Sequence, residues 1–85
     1  MKYIVTQEEG QAPEIFIFPK RFNHDDMADM VNHLKTYDPN NHRNWERNYK
    51  APISAGFTDG KTCTGRSETL NLDSRGRLDE LLIED

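Results

Sequence analysis

Short apolar runs divide the first part of the chain into two predicted strands. Residues 3–6 and 14–18 are rich in β-branched and aromatic side chains, and a polar turn with Gly10 and Pro13 lies between them. This spacing predicts an antiparallel hairpin. Because every residue from 15 to 18 is apolar, the second run is typical of a central strand that is covered on both faces, or of a strand that associates with another chain.

The next periodic segment predicts one amphipathic helix over residues 24–36. Asn23 is a favoured N-cap, and the acidic residues at positions 25 and 26 suit the positive end of the helix dipole. Apolar residues then repeat at helical spacing, namely Met27, Met30, Val31 and Leu34. Pro39 prevents the helix from continuing beyond the following turn.

The second half of the chain predicts another hairpin, with Cys63 on its return strand. Residues 53–57 alternate so that Ile53, Ala55 and Phe57 share one face, and the Asp-Gly dipeptide at positions 59 and 60 is a strong turn signal. The return strand is expected over residues 62–67. A two-residue loop would turn Cys63 away from the face of Phe57, whereas a three-residue loop would place both on one face. We expect the three-residue loop, because it collects the apolar side chains.

The C-terminal residues complete the predicted fold. Ser74 is placed to begin a short helical turn with Leu78, Leu81 and Leu82 on one side. Together, these elements predict a single small α+β domain over residues 1–85. Its antiparallel sheet has about four strands in the order ββαββ, with one main helix packed on one face and the short C-terminal helical turn. Residues 38–52 contain two prolines and no apolar periodicity, which predicts a long irregular loop within the domain.

Composition and charge narrow the classes of function. The chain has 15 acidic residues and 11 Lys and Arg residues, and its net charge of −4 lacks the basic footprint of a general nucleic-acid binder. Its one cysteine cannot form an internal disulfide. The N-terminal residues show no signal peptide, and no apolar run approaches the ~18 residues of a membrane span. We therefore expect a cytoplasmic protein that does not enter a membrane.

The long loop contains the best candidates for binding a partner. Arg43 and Arg47 are four positions apart, as are Trp45 and Tyr49, so a helical turn would set cations on one side and aromatic rings on another. Trp, Tyr and Arg are enriched in protein-binding hot spots. The same residue types can stack bases and hold phosphates, and Trp45 could instead fill the edge of the core. Because the acidic balance argues against nucleic acid, a non-enzymatic protein-binding module is the leading hypothesis.

The alternative from another functional class is a small enzyme that uses Cys63 as its nucleophile. A reactive thiol needs a nearby base and a positive environment, and no local signature surrounds Cys63. A strand cysteine that packs as a small apolar residue is the simpler interpretation.

Histidine and acidic residues offer further candidates for chemistry. Asp29 and His33 are four positions apart on the predicted helix, but helix capping explains the acids there, and structural zinc requires four ligands. The adjacent acids Asp79 and Glu80 are expected to be solvated, because so small a domain has few residues with which to enclose a catalytic cleft. The sequence therefore predicts no catalytic residue, no metal site and no cofactor.

The apolar run at residues 15–18 leaves a homodimer open. One amphipathic helix covers only one face of a sheet, so the other face could form a dimer interface. A protein partner, a second copy of the chain, or both fit the sequence.

The second half of the chain resembles a group of short, uncharacterised bacterial and prophage-type proteins. The similarity lies in the run SAGF at residues 54–57, in a strand of the form G-x-S-x-[ST]-L-x-L at residues 65–72, and in a Ser-Arg turn at residues 74–75 that leads into an acidic, leucine-containing end. The resemblance implies a small accessory protein of phage or mobile-element origin. It implies no catalytic residue.

Overall fold

The computed structural model describes residues 1–36 and 50–83, with side chains given for residues 1–32 and 50–83. The elements along these residues are β1 (Lys2–Gln7), β2 (Glu14–Phe18), α1 (His24–Thr36), β3 (Ala51–Thr58), β4 (Cys63–Thr64), β5 (Arg66–Ser67), β6 (Leu72–Asp73) and α2 (Arg77–Ile83). Strands β1 to β4 form an antiparallel sheet, and β5 and β6 form a separate hairpin. The predicted α+β fold, with one main helix on an antiparallel sheet and a short C-terminal helix, is confirmed.

The inner strands of the described sheet are β1 and β3, and β2 is not one of them. The order is β2-β1-β3-β4, and Ile4 pairs with Phe16 on one side and with Ala55 on the other. Tyr3, Ile4 and Val5 are fully buried. The prediction of a central strand at residues 14–18 is therefore wrong, since β2 lies at the edge of the described sheet. Its residues are apolar on both faces because each face packs against a helix.

Two hydrophobic clusters lie on opposite faces of the sheet. The first cluster packs α1 and the β5–β6 hairpin against one face, and its members are Ile4, Phe16, Phe18, Met27, Ala28, Val31, Ala55, Leu70 and Leu72. The second cluster packs α2 against the other face, and its members are Tyr3, Val5, Ile15, Ile53, Cys63, Leu82 and Ile83. The face that a single helix would have left open is thus covered by α2.

An irregularity in β3 moves Ile53 to the second cluster. The pairing of β1 with β3 shifts between Val5 and Thr6, where β3 carries an extra residue. A β-bulge of this kind breaks the alternation of side chains. Ile53 consequently packs in the second cluster while Ala55 packs in the first, so the prediction that they share a face is wrong.

The loop between β3 and β4 is longer than predicted. Cys63 pairs with Thr58, which leaves residues 59–62 in the loop. The Asp59 carboxylate accepts hydrogen bonds from the backbone N–H groups two and three residues later, each 2.8 Å long, and this stabilises the wider turn. Because directly paired residues share a face, Cys63 lies with Thr58 and away from Phe57. The predicted three-residue loop is therefore wrong.

The predicted return strand is divided at Gly65. This residue has a φ of +82°, a conformation that favours glycine, and the chain leaves β4 here to enter β5. The Gly65 carbonyl then accepts a 2.9 Å hydrogen bond from the backbone N–H of Ser74, which closes the β5–β6 hairpin against the sheet. The single strand predicted over residues 62–67 is thus two short strands in different sheets.

Part of the predicted long loop belongs to β3. The strand begins at Ala51, so residues 51 and 52 are paired with β1. Lys50 immediately before it is buried. The remaining residues of the predicted loop, 38–49, lie outside the described residues.

Candidate functional site

Helix α2 carries an acidic residue, Asp79, on the face that packs against the sheet. Asp79 is fully buried, and Leu82 and Ile83 pack in the second hydrophobic cluster beside it. Leu78 and Leu81 are exposed. The prediction that these two leucines lie on the packed side is wrong, because the inward i, i+3, i+4 pattern begins one residue later, at Asp79.

Four hydrogen bonds surround the Asp79 carboxylate. The Tyr3 hydroxyl donates to Oδ2 over 2.5 Å, and the backbone N–H of Arg75 donates to the same oxygen over 2.9 Å. The Ser54 hydroxyl donates to Oδ1 over 2.9 Å, and Nε of Arg75 donates to it over 2.8 Å. Together with Ser74 these residues are called the Asp79 cluster: Tyr3, Ser54, Ser74, Arg75 and Asp79.

Ser74 connects the turn before α2 to the rest of the cluster. Its Oγ lies 2.6 Å from the Tyr3 hydroxyl and accepts a 3.0 Å hydrogen bond from the backbone N–H of Gly76. Because the single Tyr3 proton is directed to the carboxylate, Ser74 donates its own proton to the Tyr3 oxygen. The Asp79 cluster therefore joins the turn and the start of α2 to the inner strands β1 and β3.

The environment of the cluster favours an ionised aspartate and a neutral tyrosine. Burial alone would raise the pKa of Asp79, but hydrogen bonds from Tyr3, Arg75 and Ser54 outweigh burial and hold this pKa below its ordinary value. Burial and the hydrogen bond to the carboxylate raise the pKa of Tyr3. Since the carboxylate is fully buried and its donors belong to the protein, the cluster is suited to holding α2 on the sheet rather than to exchanging protons with a substrate.

Cys63 is placed as an apolar core residue. It is buried in the second hydrophobic cluster beside Tyr3 and Val5. Burial raises the pKa of its thiol, and the negative charge of Asp79 raises it further. An activated nucleophilic cysteine needs the opposite shift. The hypothesis of a cysteine enzyme stays a prediction, to which this environment lends no support.

The acidic pair Asp79 and Glu80 is not solvated as predicted. Asp79 is fully buried, and Glu80 accepts a 3.1 Å hydrogen bond from the backbone N–H of Cys63 on β4. Acidic neighbours usually lie in solvent, but the partners of Asp79 in β1 and β3 are 76 and 25 positions away in sequence. No local pattern around α2 identifies such partners.

His24 is buried and packs against the partly exposed ring of Phe57. Its Nε2 lies 2.9 Å from the carbonyl oxygen of Gly56, which can only accept, so Nε2 carries the proton. The imidazole ring meets Phe18 and Phe57 edge-to-face at centroid distances of 5.6 and 5.8 Å. These contacts fix the orientation of the Phe57 ring.

An open depression lies beside Phe57, at the end of the sheet where β1 begins. We call it the Phe57 depression; its volume is about 450 Å³, and it is lined by Met1, Lys20, Phe57, Thr58, Asp59, Thr62 and Thr64. Met1 and Phe57 both expose apolar surface. The described lining carries the positive charge of Lys20 and the negative charge of Asp59, whose Oδ1 also accepts two backbone N–H groups of its own loop.

Lys50 fixes the start of β3 at the opposite end of the sheet. Its ammonium group lies 2.8 Å from Glu14 and 3.3 Å from Glu8. Its backbone N–H and C=O groups bind the Asn32 amide of α1 over 2.6 and 3.0 Å. The hydrogen bonds to Glu14 and Glu8 raise the pKa of Lys50, although burial alone would lower it. The residue that directly follows segment 37–49 is therefore firmly held.

The four residues predicted to bind a partner lie outside the described residues, and their role stays a prediction: Arg43, Trp45, Arg47 and Tyr49. Asp29, one of the two residues considered as metal ligands on α1, is exposed. Within residues 1–36 and 50–83, no group of three or more metal-binding side chains is found. Neither described helix is long and apolar enough to span a membrane.

No family model matches the chain, and no similar sequence or fold was found among curated proteins or solved structures. The resemblance of residues 54–83 to prophage-type proteins stays a prediction. Any inference about function therefore depends on the sequence and on the geometry of the described residues.

Sequence reasoning missed the Asp79 cluster, although two residue types signalled it. Tyr3 lies within an apolar strand, and a buried tyrosine hydroxyl needs a hydrogen-bond partner. Ser54 is a fully buried polar residue of β3 with the same requirement. Neither signal identifies the partner, which the chain supplies from its C-terminal helix.

Asp79→Asn is expected to lower the free energy of unfolding by about 3–5 kcal/mol near neutral pH, because the amide nitrogen would face donors of the cluster. Since the pKa of Asp79 is depressed on folding, its carboxylate stabilises the fold fully above the ordinary pKa of about 3.9. That stabilisation is lost as the pH falls through the lower folded value. Urea unfolding of the wild type and the variant at neutral and acidic pH measures both effects.

Asp73→Asn is the matched control. The Asp73 side chain is 80% exposed and lies 3.7 Å from Arg66, so its substitution should change stability by less than about 1 kcal/mol. Two results would contradict the role assigned to Asp79. One is a loss of unfolding free energy in Asp79→Asn no larger than that in the control. The other is a difference in unfolding free energy between Asp79→Asn and the wild type that does not become smaller at acidic pH.

The Cys63 thiol is expected to react with a thiol reagent at least about tenfold more slowly in the folded protein than in urea, because it is buried and its pKa is raised. The control is Cys63→Ala combined with Thr62→Cys, which moves the thiol to an exposed neighbouring position. Equal labelling rates for the two thiols, with activation of Cys63 below pH ~8.5, would restore the enzyme hypothesis.

Proposed function

We propose that this chain is a non-enzymatic module that acts by binding another protein. The observation that carries the proposal is the exposed apolar surface at the Phe57 depression, where Phe57 and Met1 are 38% and 49% exposed. Aromatic residues and methionine are enriched in protein interfaces. The contacts of Phe57 with His24 hold its ring in place, so little side-chain freedom is lost on binding.

The chemistry of the depression suits a protein segment with an apolar side chain beside a carboxylate. Met1 and Phe57 provide apolar contact, and Lys20 provides a positive charge. The exposed Thr62 and Thr64 add hydroxyl groups at its border. A shallow, open surface fits side chains of a partner better than it encloses a small molecule. The net charge of −4 disfavours nucleic acid as that partner.

The residues predicted from the sequence extend the proposal. Arg43, Trp45, Arg47 and Tyr49 have the composition of a binding hot spot. Their segment ends at Lys50, which is buried and held by ion pairs. An origin in a phage or another mobile element is proposed from the resemblance of residues 54–83 alone.

Capture from an extract of the source cells tests the proposal, with the tagged full-length chain as bait and quantitative mass spectrometry as the readout. We expect one specific protein to be enriched by the wild type. The pair Trp45→Ala with Arg43→Ala, or the pair Phe57→Ala with Lys20→Ala, should reduce its recovery at least about tenfold, as loss of a hot spot does. The affected pair then identifies the binding surface, and the purified partner allows the Kd to be measured.

Leu78→Ala is the control, because Leu78 is a large apolar residue that is 61% exposed on α2. Its recovery of the partner should equal that of the wild type. Undiminished recovery by both substituted pairs would reject both surfaces. Failure of the folded wild type to enrich any specific protein would reject the proposed function.

A further inference from the structure

The outer edge of β2 carries backbone groups with which no described strand pairs. Met1 and Thr58 exchange backbone hydrogen bonds of 2.9 and 2.8 Å, so the odd-numbered residues of β1 bind β3 and the even-numbered ones bind β2. Phe16 and Phe18 pair with these even-numbered residues. The N–H and C=O groups of Ile15 and Ile17 therefore point away from the sheet, where no described strand pairs with them.

The two edges of the sheet differ in how they are protected. The β4 edge is two residues long, and the backbone N–H of Cys63 is bound by the Glu80 carboxylate. The β2 edge is five residues long and pairs with β1 without a bulge. It has no charge between residues 15 and 18, and Ile17 is 39% exposed. An edge that carries neither a charge nor a bulge is a template for pairing with another strand.

We propose that two copies of this chain pair through their β2 strands, antiparallel about a two-fold axis, to form one continuous sheet. Two prolines define the register. Pro13 and Pro19 flank the strand on the same odd-numbered, outward-facing positions, and proline cannot donate a hydrogen bond. Pairing centred on Phe16 sets each Ile15 opposite the partner copy's Ile17 and each Pro13 opposite its Pro19. Every outward N–H group of the strand then has an acceptor.

Charge supports a second copy as the strand that binds here. The start of β2 lies beside Glu8, Glu9 and Glu14, whose negative charges Lys50 offsets only in part, and Lys20 and Arg21 follow its end. Antiparallel pairing places the acidic end of each copy beside the basic end of the other, whereas parallel pairing would bring like charges together. The β-branched side chains of Ile15 and Ile17 also form favourable cross-strand pairs. The edge is thus complementary to itself.

Analytical ultracentrifugation of the full-length chain tests this dimer. We expect a concentration-dependent dimer at concentrations up to about 1 mM. Ile17→Lys and Ile17→Pro should weaken dimerisation at least about tenfold, by placing a charge at the edge or removing an outward N–H group. The outward direction of this N–H group means that proline removes no hydrogen bond to β1. Ile17→Thr is the matched control, because it keeps the branched side chain and the N–H group, and it should remain dimeric.

Amide hydrogen exchange of the wild type tests the same interface without a substitution. The amides of Ile15 and Ile17 should gain protection as the protein concentration rises, whereas those of Phe16 and Phe18 are protected at every concentration. A wild type that stays monomeric would overturn the proposal. A dimer in which these two amides gain no protection would also overturn it. So would a folded Ile17→Lys variant that dimerises as tightly as the wild type. None of these outcomes depends on the partner protein proposed above.

Discussion

The buried carboxylate of Asp79 is the interaction on which the rest of the structure depends. An ionised group inside a protein is costly unless donors surround it, and Asp79 accepts four hydrogen bonds. Its donors come from β1, β3 and the turn before α2, so one side chain joins the beginning, the middle and the end of the chain. A domain of this size has only about 5–15 kcal/mol of stability, which makes a single buried group of this kind a large part of the total.

The position of α2 also determines which surfaces remain for association. Because Asp79 holds α2 on the second face, both faces of the sheet are covered, and the dimer we propose uses an edge rather than an open face. Glu80, the next residue, binds the backbone of β4 and blunts that edge. Among the described residues, the β2 edge and the Phe57 depression remain for association: the first presents backbone groups, and the second presents aromatic and apolar side chains.

Local patterns predicted those elements whose determinants lie within a few residues of one another. The helix α1 has the bounds expected from the Asn23 cap and the apolar stripe, although Met30 of that stripe is exposed. The first hairpin follows from two apolar runs and a polar turn. The overall α+β class followed from the same signals. The four candidate binding residues of the long loop are predicted from composition alone, and they lie outside the described residues.

The faces of individual side chains could not be predicted, because single-residue events set them. One extra residue in β3 transfers Ile53 to the other cluster, and a side chain in the β3–β4 loop, Asp59, lengthens the turn and reverses Cys63. The inward face of α2 depended on a partner at Tyr3, far away in sequence. An apolar stripe starting at Leu78 and a mixed stripe starting at Asp79 have the same spacing, and only the tertiary contact distinguishes them.

A double-mutant cycle between Tyr3 and Asp79 tests the central claim most directly. The free energy of unfolding would be measured for the wild type, Tyr3→Phe, Asp79→Asn and the double variant, all at neutral pH. If the Tyr3 hydroxyl and the Asp79 carboxylate stabilise each other, the two losses are non-additive, with a coupling of about 1–3 kcal/mol. Losses that add within about 0.5 kcal/mol would show that the two groups act independently and that Asp79 does not hold α2 on β1.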